Sequence, residues 1–104
     1  MSLKEIQCQV DKWASQYDPK YWTPHHIVCR LMEETGELAR EVNHRWGPKK
    51  KKPTEETREV GDEMADILFT LICLANSQNI SLDEAWKRMM EKYETRDKDR
   101  FKKV

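Results

Sequence analysis

At 104 residues, 37% of them charged and 38% hydrophobic, the chain supports one domain with a small core and excludes a second core. Its 19 Lys and Arg balance 19 Asp and Glu, so no global field draws it to a nucleic acid polymer or an anionic membrane. The longest nearly apolar run, Met64 to Ala75, contains Asp66 and is too short to span a bilayer. The amino terminus carries no apolar stretch of the signal-peptide kind, so the expected setting is cytoplasmic.

With three glycines and almost no strand-like alternation, the pattern predicts four helices in a single domain over 1–104. The first opens at Ser2, with Glu5 completing a capping box, and carries Leu3, Ile6, Val10, Trp13 and Tyr17 on one stripe until Asp18-Pro19 stops it. Thr23 then caps a helix with Pro24 at its first position, running to about Asn43, with Ile27, Val28, Leu31, Leu38, Ala39 and Val42 apolar. Gly47-Pro48, four lysines and Pro53 form an exposed basic loop. Thr54 caps a third helix reaching about Ser77, apolar nearly all round from Met64 and therefore expected in the middle of something. Ser81 with Glu84 starts a fourth, which turns Ala85, Trp86, Met89, Met90 and Tyr93 inward, and 96–104 is a charged tail expected to fray. Trp13 and Trp86 are expected in the core. Cys8, Cys29 and Cys73 lack any C-x-x-C spacing and read as small buried hydrophobes, neither disulfides nor zinc ligands.

Two acidic steps stand out on this helical background: Glu34 with Glu37 and Glu63 with Asp66, each at i and i+3 and so on one helix face. If the two faces meet, four carboxylates surround one small space, and crowded carboxylates out of water require compensation. A hard divalent cation with oxygen ligands supplies it, which points to metal-dependent chemistry on phosphates. Asp66, between Ala65 and Ile67, is expected to look into the interior. The competing explanation is a set of salt bridges, such as Arg58 with Asp62 or Glu37 with Arg40, on solvated faces.

The order E-E-x-x-E, loop, E-x-x-D, written here as Glu33-Glu34-Thr35-Gly36-Glu37 and Glu63-Met64-Ala65-Asp66, resembles the signature of the MazG-like nucleoside triphosphate pyrophosphohydrolases. The resemblance covers about Pro24 to Tyr93. It implies an all-α, four-helix MazG-like bundle, completed by homo-oligomerisation into a homodimer or homotetramer. It also implies Glu34, Glu37, Glu63 and Asp66 as ligands of Mg²⁺, with Mn²⁺ as a substitute. The implied reaction splits a nucleoside triphosphate between its α- and β-phosphates, giving the monophosphate and pyrophosphate. A metal-bound water of lowered pKa would attack the α-phosphorus. Glu33, four residues before Glu37, could ligate through water or take the proton of the nucleophile, so Glu33 and Glu37 are the catalytic candidates.

Around the metal, Lys49, Lys50, Lys51 and Lys52 could reach the triphosphate from their loop or simply be solvated; Lys49 and Lys52 are the named candidates. Lys92 and Arg96 are further phosphate candidates, although Met89 stands where the family resemblance leads one to expect a lysine. Trp46 could stack on the base, as an aromatic does in similar enzymes, or plug the loop; Trp22 is open between the same two readings. His25, His26 and His44 read as helix-end and surface residues. Asn76 reads as a helix C-terminal cap or a sugar contact.

Two other classes compete. Glu41-Val42-Asn43-His44 is an E-x-x-H step of the ferritin-like di-metal kind, but such bundles need two of them. A non-catalytic helical adaptor would explain the aromatics and methionines, though not the paired acids.

Overall fold

The computed structural model describes residues 1–48 and 59–103, and these contain α1 (Leu3–Ala14), α2 (Pro24–Trp46), α3 (Val60–Ser77) and α4 (Leu82–Thr95). No strand occurs among the described residues, and the fold is all-α. None of their helices is long and apolar enough to cross a membrane.

The capping signals act as the sequence implies. Ser2 accepts from the Glu5 N–H, Thr23 from the His26 N–H and Ser81 from the Glu84 N–H, each satisfying one of the donors a helix start leaves over. The Thr54 cap expected for the third helix lies outside the described residues; Val60 is its first described helical residue. Two ends differ from expectation. Helix α1 stops at Ala14, where the bonding passes from the helical pattern to turns, the Gln16 N–H donating to the Trp13 carbonyl and the Tyr17 N–H to the Ala14 carbonyl. Helix α2 runs on to Trp46, since nothing before Gly47 breaks it. At Gly47 a Cβ would stand 2.7 Å from the Asn43 carbonyl oxygen, so the exit requires glycine.

Helices α2 and α3 pack along each other, α1 lies against α3, and α4 leans on α1. The buried apolar set is small: Val10 and Ala14 of α1, Ile27 of α2, Ile72 and Ala75 of α3. Helix α4 buries none of its residues. Trp13 and Trp86, expected inside, are half exposed, as are Met64, Leu68 and Leu71 on the helix expected to be covered all round. The reason is geometric. Among the described residues too few elements lie against α3 and α4 to cover them, and the radius of gyration is 17.3 Å, against roughly 13 Å for a compact chain of this length. The cysteines depart from expectation likewise: all three are free, Cys8 and Cys29 are exposed, and Cys73 is half-buried with its thiol pKa pushed up by that burial. Beyond α4 the chain continues in turns, with Lys103 Nζ 3.6 Å from Asp99.

A polar cross-link ties α1, the 15–23 segment and the end of α3 together. The Tyr21 hydroxyl donates to Asp11 Oδ1 at 2.7 Å and accepts from Asn76 Nδ2 at 2.9 Å. Asn76 also donates to the Gln7 carbonyl and accepts from Gln7 Nε2, while Gln7 Oε1 takes the Leu82 N–H. The Asn76 side chain therefore joins α3 to α1 and to Tyr21 rather than capping its own helix. The hydrogen bonds from Lys20 and Tyr21 hold the Asp11 pKa below its ordinary 3.8. Burial, with the Asp11 bond, pushes Tyr21 up to about 12.

Because its folded pKa is depressed, Asp11 contributes stability that is complete above about pH 3.8 and is lost as pH falls through the lower folded value. Chemical unfolding of wild type and Asp11→Asn should accordingly differ at neutral pH and converge on the acid side. Tyr21 runs the other way, its contribution present below 10.0 and lost toward 12.

Candidate functional site

Helix α2 carries Glu34 and Glu37 on the side facing α3, and α3 presents Glu63 and Asp66 back toward it. Ile27, Arg30 and Glu34 of α2 and Asp66, Phe69, Thr70 and Cys73 of α3 line one cleft between them. Carboxylate oxygens of Glu34, Glu37 and Glu63 all lie within 4.8 Å of one another. Glu63 is 1% exposed and Glu34 3%, so two of the three acids are almost wholly out of water. Asp66 is half-buried and lines the cleft beside them rather than joining the tight trio.

Burying carboxylates this deeply costs several kcal/mol each unless cations or hydrogen bonds compensate. Part of the compensation is Arg30, one turn before Glu34, whose Nη2 lies 2.5 Å from Glu34 Oε1 and whose Nη1 lies 3.3 Å from Glu33 Oε2. The donor set is all oxygen, on two rigid helices, and its spacing suits a hard cation that bridges carboxylates. Ferritin-like chemistry finds no such frame: Glu41 is buried and His44 half-buried, but neither joins a candidate ligand group among the described residues.

A cleft of about 640 Å³ opens from the acids toward α1, within the range that holds a small molecule. Glu34, Asp66 and Arg30 stand at one end. Trp13 and Phe69 form another wall, their rings edge to face at 5.5 Å, with Tyr17 5.1 Å from Trp13. Lys20 and Trp22 close it from the 15–23 segment.

The remaining candidates are more scattered. Glu33 is exposed and meets the cleft only through Arg30. Trp46 is 68% exposed beside Arg45 and lies about 18 Å along α2 from Glu34. Lys92 of α4, with its Nζ 5.9 Å from the centre of the Tyr93 ring, and Arg96, the residue capping the end of that helix, do not line the cleft. Lys49 and Lys52 lie outside the described residues. The sequence reading missed Arg30 as a cleft residue, although its i,i+4 spacing from Glu34 was visible. It also placed Trp13 in the core, since a stripe of apolar residues looks the same whether it meets a helix or a cavity.

Residues 22–101 match the MazG nucleotide pyrophosphohydrolase domain. The chain belongs to that family. MazG-family membership makes it a hydrolase of phosphoanhydride bonds, and it excludes the ferritin-like and adaptor alternatives. Two Bacillus subtilis proteins are similar: YpjD, 52% identical over 96% of this chain and 90% of its own length, and YvdC, 33% identical over 79% and 87%. The crystal structure of YpjD superposes with a TM-score of 0.82 at 49% identity, covering 91% of this chain and 97% of that one. A Bacillus-conserved MazG protein, a nucleotide pyrophosphohydrolase, matches with a TM-score of 0.80 at 42% identity, over 95% and 96%.

Arg30→Met should lower the stability of the metal-free protein by about 1–3 kcal/mol, the cost of removing one partner of a buried charge. Urea unfolding in a chelating buffer reads it. A change confined to the exposed Glu33 contact would be near zero.

Proposed function

We propose that this MazG-family chain is a Mg²⁺-dependent nucleoside triphosphate pyrophosphohydrolase. Water and a (d)NTP would give the nucleoside monophosphate and pyrophosphate by cleavage between the α- and β-phosphates. What carries the reading is the meeting of Glu34, Glu37 and Glu63 within 4.8 Å, with Glu34 also lining a cleft that has aromatic walls. Charge at one end and flat apolar rings at the other match a triphosphate joined to a base.

Glu34, Glu37 and Glu63, with Asp66 beside them, would hold the cation, and Mn²⁺ would substitute. Bound there, Mg²⁺ supplies neutralisation of phosphate charge and acidification of a water. Glu37, or Glu33 from the rim, takes the proton of the attacking water. Arg30 stands where it can exchange its bond to Glu34 for a phosphate oxygen once a metal satisfies that carboxylate. Among the rings, Trp13, Tyr17 and Phe69 of the cleft are better placed for the base than Trp46. Lys49, Lys52, Lys92, Arg96 and Trp46 would touch substrate only as parts of a closed or shared site.

Sharing is reasonable, because the protomer is open. The exposed apolar residues of α3 and α4, Met64, Leu68, Leu71, Trp86 and Tyr93, fit burial against further copies of the same chain in a homodimer or homotetramer. Nucleotide substrates and the lack of a membrane-crossing helix among the described residues suit work in the cytoplasm.

Pyrophosphate release from the eight common ribo- and deoxyribonucleoside triphosphates, with and without Mg²⁺, tests the activity. Turnover should require the metal, and Glu37→Gln or Asp66→Asn should abolish it while the helical circular dichroism stays intact. Full activity in either variant would remove the assigned site. Sedimentation of the wild type should give a multiple of the protomer mass, and Leu68→Glu with Trp86→Glu should shift it toward the monomer.

A further inference from the structure

The segment between α1 and α2 forms one wall of the cleft, contributing Tyr17, Asp18, Pro19, Lys20 and Trp22. Among the described residues no backbone–backbone hydrogen bond holds 18–22; the turn bonds stop at Tyr17, and the next joins Ile27 to Thr23. Side chains do the holding instead. Lys20 Nζ lies 2.8 Å from Asp11 Oδ2, Tyr21 donates to Asp11 Oδ1, and Asn76 donates to Tyr21 from the far helix. One carboxylate on α1 therefore fixes two consecutive residues of the strap, and the residues on either side of that pair, Pro19 and Trp22, line the cleft. Asp11 and Tyr21 themselves are not among the cleft-lining residues.

We propose that Asp11 and Tyr21 are positioning residues for the nucleoside end of the substrate: through the strap they set where Trp22 and its neighbours meet the bound nucleotide. The inference rests on the nucleotide-hydrolase reading given above and adds to it a division of labour. The acids and Arg30 handle phosphate and metal on α2 and α3, helices held by their own backbone hydrogen bonds. The strap handles the nucleoside, and its position depends on two hydroxyl and carboxyl bonds rather than on secondary structure. A chain segment without backbone hydrogen bonds is drawn from the low-stability part of a fold, so a single side-chain bond has leverage over it that it would lack on a helix. Asn76 couples the strap to the end of α3, and Gln7 carries the same network to the start of α4.

The experiment compares wild type with Tyr21→Phe, which removes only the hydroxyl, and Asp11→Asn. The probes are the best-hydrolysed nucleoside triphosphate and inorganic tripolyphosphate, a competitor that has the phosphates and no nucleoside. Tyr21→Phe should raise KM for the nucleotide about three- to tenfold, the size of one lost hydrogen bond, with kcat and the inhibition constant of tripolyphosphate unchanged. Trp22→Ala should raise KM as well, and the Tyr21→Phe/Trp22→Ala pair should be no worse than Trp22→Ala alone, because both act through one contact. A merely structural hydroxyl would lower thermal stability without this split. Unchanged KM in both Tyr21→Phe and Asp11→Asn, an equal rise for tripolyphosphate, or additive effects in the pair would each overturn the strap assignment while leaving the hydrolase reading intact. Absence of turnover in the wild type with every nucleotide would take both down together.

Discussion

Glu34 and Glu63 are held almost out of water between α2 and α3, and that burial of negative charge sets the terms for the rest of the molecule. Carboxylates in such a place must be compensated, and two helices that present them toward each other must be rigid enough to bear the repulsion. The α2–α3 pair meets the second demand by running side by side over several turns, with Ile27, Ile72 and Ala75 packed away from water. Arg30 meets part of the first, bonding Glu34 from the preceding turn of its own helix. Carboxylates carried on helices are held by the backbone hydrogen bonds of those helices rather than by a loop.

The cleft follows from how the other elements lean on this pair. Helix α1 lies against α3 and ends at Ala14, after which the chain passes into turns. The early stop leaves Trp13 and Tyr17 facing open space beside Phe69 instead of a neighbouring helix. The strap that follows then bends over the opening on side-chain bonds from Asp11 and Asn76. The acids and Arg30 of the cleft thus come from two long helices, while its aromatic residues come from the end of α1, the strap and Phe69 of α3. Catalytic geometry on rigid helices and substrate fit on adjustable loops is a common arrangement, since the first tolerates little displacement and the second gains from variation.

The openness of the protomer has the same origin. A chain of 104 residues that commits its two longest helices to an acidic site has few residues left to cover them. Apolar residues on α3 and α4, Met64, Leu68, Leu71 and Trp86 among them, therefore stay exposed.

Taken alone, the sequence determined the helices, their caps and the pairing of the acids. Ser2, Thr23, Ser81 and Gly47 each act through bonds to residues a few positions away, so local chemistry decides them. The i,i+3 steps put Glu34 with Glu37 and Glu63 with Asp66 by helical geometry alone, and their order was enough to suggest the family. The tertiary structure decided what distance along the chain conceals. It set Glu34, Glu37 and Glu63 as the tight trio with Asp66 beside it, left Trp13 and Trp86 in the open, and joined Asp11, Tyr21 and Asn76 across three elements. Periodicity tells which face of a helix is apolar but not what that face meets, because the partner is chosen by the packing of segments far away in the chain.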